Sequence, residues 1–146
     1  MLADWIDARF RSRYAEDHDL IVMGDFNVPR MNDALFAALT NRGLAVPAAL
    51  RELKAGDNVI GGSNLNKDMR YDQILHLPTM KERFSDLGGA LDFFVDEQHI
   101  KELYPGKGYD ARAFSFQLSD HFPIWIQVRT DIDGERLEQV VQNGRR

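Results

Sequence analysis

The stretch Leu20-Ile21-Val22-Met23-Gly24-Asp25-Phe26-Asn27 decides how this chain is read. Four consecutive apolar residues are bounded by the polar Glu16-Asp17-His18-Asp19 on one side and by Gly24 on the other. A short apolar run without alternation is how a strand buried on both faces reads. The run passes at once into Asp25-Phe26-Asn27 and then Pro29, so a carboxylate and a carboxamide sit where a buried strand enters a loop. On an extended segment, residues two apart point to one side. Asp25 and Asn27 can then supply an acceptor for a metal or water and a donor for a bound oxygen. Gly24 lets the backbone turn there without steric penalty. An Asx-type turn ending the strand is the plainer reading, and this motif by itself does not separate the two.

Working outward, Leu2, Trp5, Ile6, Phe10 and Tyr14 recur at three- and four-residue steps, which predicts an amphipathic helix at the start. Asn32 or Asp33 can cap a second helix with Leu35, Phe36 and Leu39 on one face and Gly43 just past its end. Gly61-Gly62-Ser63-Asn64 is a loop by composition. Arg70 to Leu77 reads as a strand stopped by Pro78, with Asp72, Ile74 and His76 on one face and Tyr71, Gln73 and Leu75 on the other. Leu91 to Val95 is a further short strand, and Glu97 to Tyr104 a turn or two of helix stopped by Pro105-Gly106. Phe114 and Phe116 lead into Ser119-Asp120-His121, Pro123 and the strand Ile124 to Val128. These elements predict one domain over residues 1–130, of α/β or α+β class with a layered sheet, and a polar tail over 131–146, partly helical or disordered.

Composition narrows the class. With 146 residues, 44 % of them apolar and 28 % charged, the chain can bury a core and reads as soluble and globular, a cytoplasmic setting being favoured. No apolar run approaches the roughly 20 residues of a membrane span. Asp4 and Asp7 stand where a secretory signal would be basic. There is no cysteine, so any metal must be held by oxygen or imidazole. The net charge of −5 and the scatter of basic residues, in small groups at Arg9, Arg11, Arg13 and at Lys101, Lys107, Arg112, disfavour a chain that grips nucleic acid through one basic face.

Two further motifs carry chemistry. Tyr71-Asp72-Gln73-Ile74 places an aspartate inside a predicted strand, where Asp is depleted and where a buried carboxylate needs a partner or a cation. An Asp facing solvent on an edge strand is the bland alternative, and Tyr71 reads as packing. Ser119-Asp120-His121 precedes a strand. Neighbouring side chains on an extended chain diverge, so Asp120 does not easily reach the ring of His121. Either both meet a shared substrate or metal, or another carboxylate orients the histidine. A histidine near its ordinary pKa can take a proton from water at neutral pH. A surface Asp-His pair is the competing reading. His18, His76 and His99 lack comparable context and read as surface or packing residues.

In order, residues 20–27, 71–74 and 119–123 together resemble the C-terminal half of the endonuclease/exonuclease/phosphatase superfamily, which includes DNase I-like nucleases, sphingomyelinases and inositol-polyphosphate phosphatases. The spacings, 47 residues from Asp25 to Asp72 and 48 from Asp72 to Asp120, look typical of that half, and the resemblance covers about residues 2–129. It implies half of a four-layer α/β sandwich, one mixed β-sheet flanked by helices, with the site at one edge. It implies that Asp25 orients or activates the attacking water and that Asn27 holds the scissile phosphate. Asp72 would help orient a catalytic histidine or contact metal. Asp120 would bind metal or orient His121, which engages phosphate or takes the nucleophile's proton. One or two divalent cations, magnesium or manganese, would neutralise phosphate charge, and the reaction implied is hydrolysis of a phosphate ester, most generally a phosphodiester, DNA and RNA included.

The chain departs from the family in one respect. Members run to about twice this length, and their N-terminal half supplies an Asn, a metal-binding Glu and another His that have no counterpart here. The expectation is a fragment of a longer protein, inactive or nearly so alone because a missing metal ligand weakens the whole assembly. Without the partner sheet, Val22, Ile74, Ile124 and Ile126, or the faces opposite them, are expected to leave an apolar patch through which the chain self-associates. A small-molecule or lipid phosphoesterase shares the same core motifs, and a non-catalytic interaction module that kept the half-fold is the reading from a different class. Tyr104 to Tyr109, with Lys107, is a candidate substrate-rim loop.

Overall fold

The strand at the centre of the fold is Asp72–His76, not the run that precedes Asp25. The computed structural model describes residues 2–12, 19–94 and 111–130, with positions 98, 101, 102, 134, 138 and 141. In chain order the elements are α1 (Leu2–Phe10), β1 (Ile21–Asp25), α2 (Ala34–Thr40), β2 (Lys54–Ala55), β3 (Asn58–Val59), β4 (Asp72–His76), β5 (Phe84–Ala90), α3 (Ala111–Ser115) and β6 (Ile124–Val128). Short 3-10 turns occupy Ala48–Leu50 and Pro78–Arg83.

β1 and β4 pair antiparallel, Ile21 opposite His76 through to Asp25 opposite Asp72. The other side of β4 is held at its end by Ala45, whose backbone exchanges two hydrogen bonds of 2.9 Å with His76. Gln73, Ile74, Leu75 and His76 are accordingly all buried, whereas Ile21 and Val22 are half-buried and Met23 is 68 % exposed. This corrects the expectation that Leu20–Met23 is buried on both faces. A uniformly apolar run does not say which of two paired strands lies inside, and among the described residues β1 has only one neighbour.

The class is mixed α/β. Where one mixed sheet was expected, the described strands form three antiparallel pairs: β1 with β4, β2 with β3, and β5 with β6. β5 was not legible because Phe84-Ser85-Asp86-Leu87-Gly88-Gly89-Ala90 has a loop's composition. The glycines serve close packing: a Cβ at Gly88 would stand 2.8 Å from Ile126 and 2.9 Å from the Trp125 carbonyl, and one at Gly89 would strike the carbonyl of Lys54. Leu91 to Phe94, expected to begin a strand, is a turn beyond β5, and Val95 lies outside the described residues.

α1 buries Ala3 and Ile6 and half-buries Phe10, while Trp5, expected on that face, turns outward under the Arg9 guanidinium. α2 starts as predicted, with the Asp33 carboxylate accepting the Leu35 N–H at 2.8 Å, and it buries Phe36 but leaves Leu35 exposed. The core cluster joins Ile6, Val28, Phe36, Leu44, Val46, Leu50, Leu53, Ile74, Leu75, Ala90 and Phe122, from α1, α2, β4, the end of β5 and the segments between and after them. Arg70 is buried beside it, its guanidinium donating to the Leu50 carbonyl at 2.8 Å, and desolvation pulls its pKa below the usual arginine value. His76 is a packing residue as expected, with Nδ1 2.7 Å from the Leu77 carbonyl and its ring 4.6 Å from that of Phe84. His18, His99, Tyr14 and the Tyr104 to Tyr109 loop lie outside the described residues. Of the predicted helices at 97–104 and 135–142, only Gln98, Lys101, Glu102, Glu138 and Val141 are described, and these are helical.

Of the residues expected to form an exposed patch, Ile74 is buried and Val22, Ile124 and Ile126 are half-buried. The outward apolar side chains of these strands are Met23 and Trp125, on the opposite faces. Among the described residues no helix is long and apolar enough to cross a membrane. Leu75, 0 % exposed on β4, is the natural probe of the core. Leu75→Ala is expected to lower the unfolding free energy by about 2–5 kcal/mol, read as a fall in the urea midpoint without a change in slope.

Candidate active site

Antiparallel register, rather than the spacing of the motifs, brings the first two carboxylates together. Asp25 ends β1 and Asp72 opens β4, and the two are direct partners across the ladder. Directly opposed residues in an antiparallel pair share a face, so both side chains emerge on one side. Like charges so placed are unfavourable unless something compensates them. Asp25 takes the N–H of Asn27 at 2.8 Å on Oδ1. That is the Asx-type turn weighed for this motif, and it changes the expected geometry: Asn27 has a φ of 52°, so the chain is no longer extended there and the same-side argument for residues 25 and 27 does not apply. Asn27 is exposed at the turn. Gly24, with a φ of 152°, lies within β1 opposite Gln73.

The third member arrives from far along the chain. Phe122 is 1 % exposed and packs edge-on to Phe93 and Phe94 at 5.7 and 5.9 Å, which anchors the segment before β6 in the core. On the extended chain its neighbour His121 then faces the other way, toward Asp72. Nδ1 of His121 lies 2.8 Å from Oδ2 of Asp72. Ligand atoms of Asp25, Asp72 and His121 all fall within 4.8 Å of one another. The His121 and Asp72 side chains retain 24 % and 19 % of their exposure, and Asp25 is exposed, so the cluster is reachable from solvent.

Asp120 is not brought into this cluster. Its carbonyl accepts the Leu65 N–H at 2.7 Å, and its exposed side chain lines the groove beside Asn64 and Lys67. The chain bends at Asp120, where the Ser119 hydroxyl accepts the His121 N–H at 2.9 Å, and only the imidazole is turned to Asp72. Tyr71, read as packing, stacks on the His121 ring with centroids 5.6 Å apart and planes 21° apart. Ser63 was read only as loop. Its buried hydroxyl donates to Oδ2 of Asp72 at 2.5 Å and accepts the Asp72 N–H at 3.2 Å. No sequence signal distinguishes it, because a Gly-Gly-Ser-Asn run looks alike whether it faces solvent or a carboxylate.

A partly open groove of about 1000 Å³ runs from His121 along Tyr71, Asn64, Lys67, Arg112 and Phe116. The Lys67 ammonium is paired with Asp92 at 2.5 Å and stands 5.7 Å from the centroid of the Phe122 ring. The groove's walls therefore combine aromatic surface with charges of both signs, Lys67 and Arg112 against Asp120, next to a cluster that combines two carboxylates with an imidazole.

The donor set admits a divalent cation. With Nδ1 of His121 bonded to Asp72, the oxygens of Asp25 and Asp72 are the donors left for one, and they do not select among hard ions. Set against known proteins, the chain matches no protein-family model, no curated protein and no solved structure.

Proposed function

We propose that this chain carries a cation-assisted hydrolytic centre for phosphate esters, most generally phosphodiesters, of the nuclease-like kind its motifs resemble. The observation that carries the reading is the meeting of Asp25, Asp72 and His121 within 4.8 Å, although the first and last are 96 positions apart (121 − 25). Register accounts for Asp25 beside Asp72; the arrival of His121 from a distant segment with Nδ1 on Asp72 is what favours a site over an ordinary turn.

Asp72 accepts from Nδ1–H of His121, which fixes the neutral ring as the tautomer whose Nε2 is a lone pair. Nε2 takes the proton of an attacking water, or, once protonated, donates to a phosphoryl oxygen. Asp25 holds the water or a cation on the same face, and the amide of Asn27 would hold the phosphate by the resemblance alone. A divalent cation bound there would neutralise charge on the phosphoryl oxygens. The groove along Tyr71, Lys67, Arg112 and Phe116 receives the ester's substituent. With both ring nitrogens of His121 engaged, two carboxylates are left to hold a cation, so its binding is weak and turnover slow.

The test is hydrolysis of bis-p-nitrophenyl phosphate with magnesium or manganese, together with manganese-induced broadening of the His121 ring resonances. Slow, cation-dependent hydrolysis that falls about 100-fold or more in His121→Ala is expected. Hydrolysis indifferent to that substitution would remove the proposal. Absence of both broadening and turnover would instead favour the non-catalytic interaction module.

A further inference from the structure

We infer that Ser63 is a positioning residue for the Asp72–His121 pair. The inference rests on the hydrolytic reading only for its consequence in turnover; the arrangement itself stands on the hydrogen bonds. Ser63 is 0 % exposed and holds the pair from both sides. Its hydroxyl donates to Oδ2 of Asp72, the same oxygen that meets Nδ1 of His121, and also accepts the backbone N–H of Asp72. Its carbonyl accepts the N–H of Phe122, the residue after the histidine, at 2.6 Å. One residue therefore ties the start of β4 to the segment that delivers the imidazole.

The chemistry follows from the count of donors. A carboxylate has two oxygens, and a side chain fixed only at Cβ can swing either toward the ring. With Ser63 Oγ–H and Asp72 N–H closing a small ring through the serine oxygen, the Asp72 carboxylate is locked with Oδ2 toward His121. Oδ1 is left for water or a cation. Ser63 is thus a group that acts through Asp72 rather than on the substrate. Asn64 supports the same strap: its side-chain oxygen accepts the N–H groups of Asp68 and Met69 at 2.9 and 2.8 Å, and Ser63 N–H donates to the Met69 carbonyl at 2.9 Å.

The test compares the wild-type protein with Ser63→Ala and Ser63→Thr by nitrogen-15 NMR of the histidine rings, at a pH where the imidazole is neutral. In the wild type the Nδ1–H tautomer of His121 is expected to dominate, and the Ser63 hydroxyl proton is expected to be protected from exchange. In Ser63→Ala the Asp72 carboxylate, still an acceptor only, keeps the Nδ1–H tautomer but is free to swing, so the His121 Nδ1–H proton is expected to exchange faster, with kcat down about tenfold and KM unchanged, the size of one hydrogen bond to a charged group. Ser63→Thr, which keeps the hydroxyl, is expected to restore the wild-type exchange rate.

A Ser63→Ala protein whose Nδ1–H proton exchanges as slowly as the wild type's overturns the inference. So does a wild-type hydroxyl proton in fast exchange, a measurement that stands even if a variant does not fold. Exchange is read without substrate or metal. A protein with no hydrolysis but a Ser63-dependent Nδ1–H exchange therefore retires the hydrolytic reading alone, and a hydrolase whose Nδ1–H exchange ignores Ser63 retires this inference alone.

Discussion

Asp72→Asn is expected to leave the fold standing while lowering cation affinity about 10- to 100-fold and hydrolysis on the order of 100- to 1000-fold. The replacement has nearly the same shape. Its amide oxygen can still accept from Ser63 and His121 at the position Oδ2 now holds. What it cannot do is carry charge or offer a second acceptor, because an NH2 group would take the place of Oδ1 beside Asp25. Facing Asp25 across the ladder, Asp72 supplies half of the negative charge that draws a cation to this edge. The expectation separates a site from a structural pair. In a purely structural role, Asn would relieve the repulsion between two opposed carboxylates and raise stability, with no effect on manganese binding. Calorimetric titration with manganese and a urea curve on the same protein distinguish the two; unchanged manganese affinity would count against the site.

The second large effect is expected at Gly62. A Cβ there would fall on the backbone nitrogen, carbonyl carbon and oxygen of Met69, well inside van der Waals contact, and backbone atoms cannot swing aside as a flexible side chain would. Gly62→Ala is therefore expected to lower the unfolding free energy by about 3 kcal/mol, at the upper end of what overpacking does. Relief requires the strap to move away from Met69, and Ser63 must move with it. The site should loosen together with the fold: manganese affinity falls even at temperatures where the protein remains folded by circular dichroism. Leu75→Ala offers the contrast, since it removes core volume from β4 without touching the strap. If Gly62→Ala were as stable as the parent, the close approach of Gly62 to Met69 would be wrong, and with it the buried placement of Ser63.

Much of the local structure was legible because it depends on neighbours in the chain. The Asp33 cap, the stop of β4 before Pro78 and the strand from Ile124 follow from a capping carboxylate, a missing N–H and a β-branched run, each a property of a few adjacent residues. β5 was not legible, because its glycines make sense only once Ile126, Trp125 and Lys54 lie against them. Nor was it legible that β4, rather than β1, is the strand buried on both faces. β1 is the more apolar of the two, yet β4 lies inside with Gln73 and His76 among its buried residues, because burial is decided by what packs outside a strand.

The candidate site divides in the same way. Asp25, Asp72 and His121 were candidates by residue type and setting, each with an ordinary reading beside it, and the resemblance carried by the three motifs in order singled them out. Their meeting, the exclusion of Asp120 and the part of Ser63 were decided by register and by the anchoring of Phe122, which are relations between segments far apart in the chain. The sequence by itself determined which groups were available for chemistry. Tertiary structure decided which of them share one face, because side-chain direction depends on how strands pair, and pairing is set by burial across the whole core.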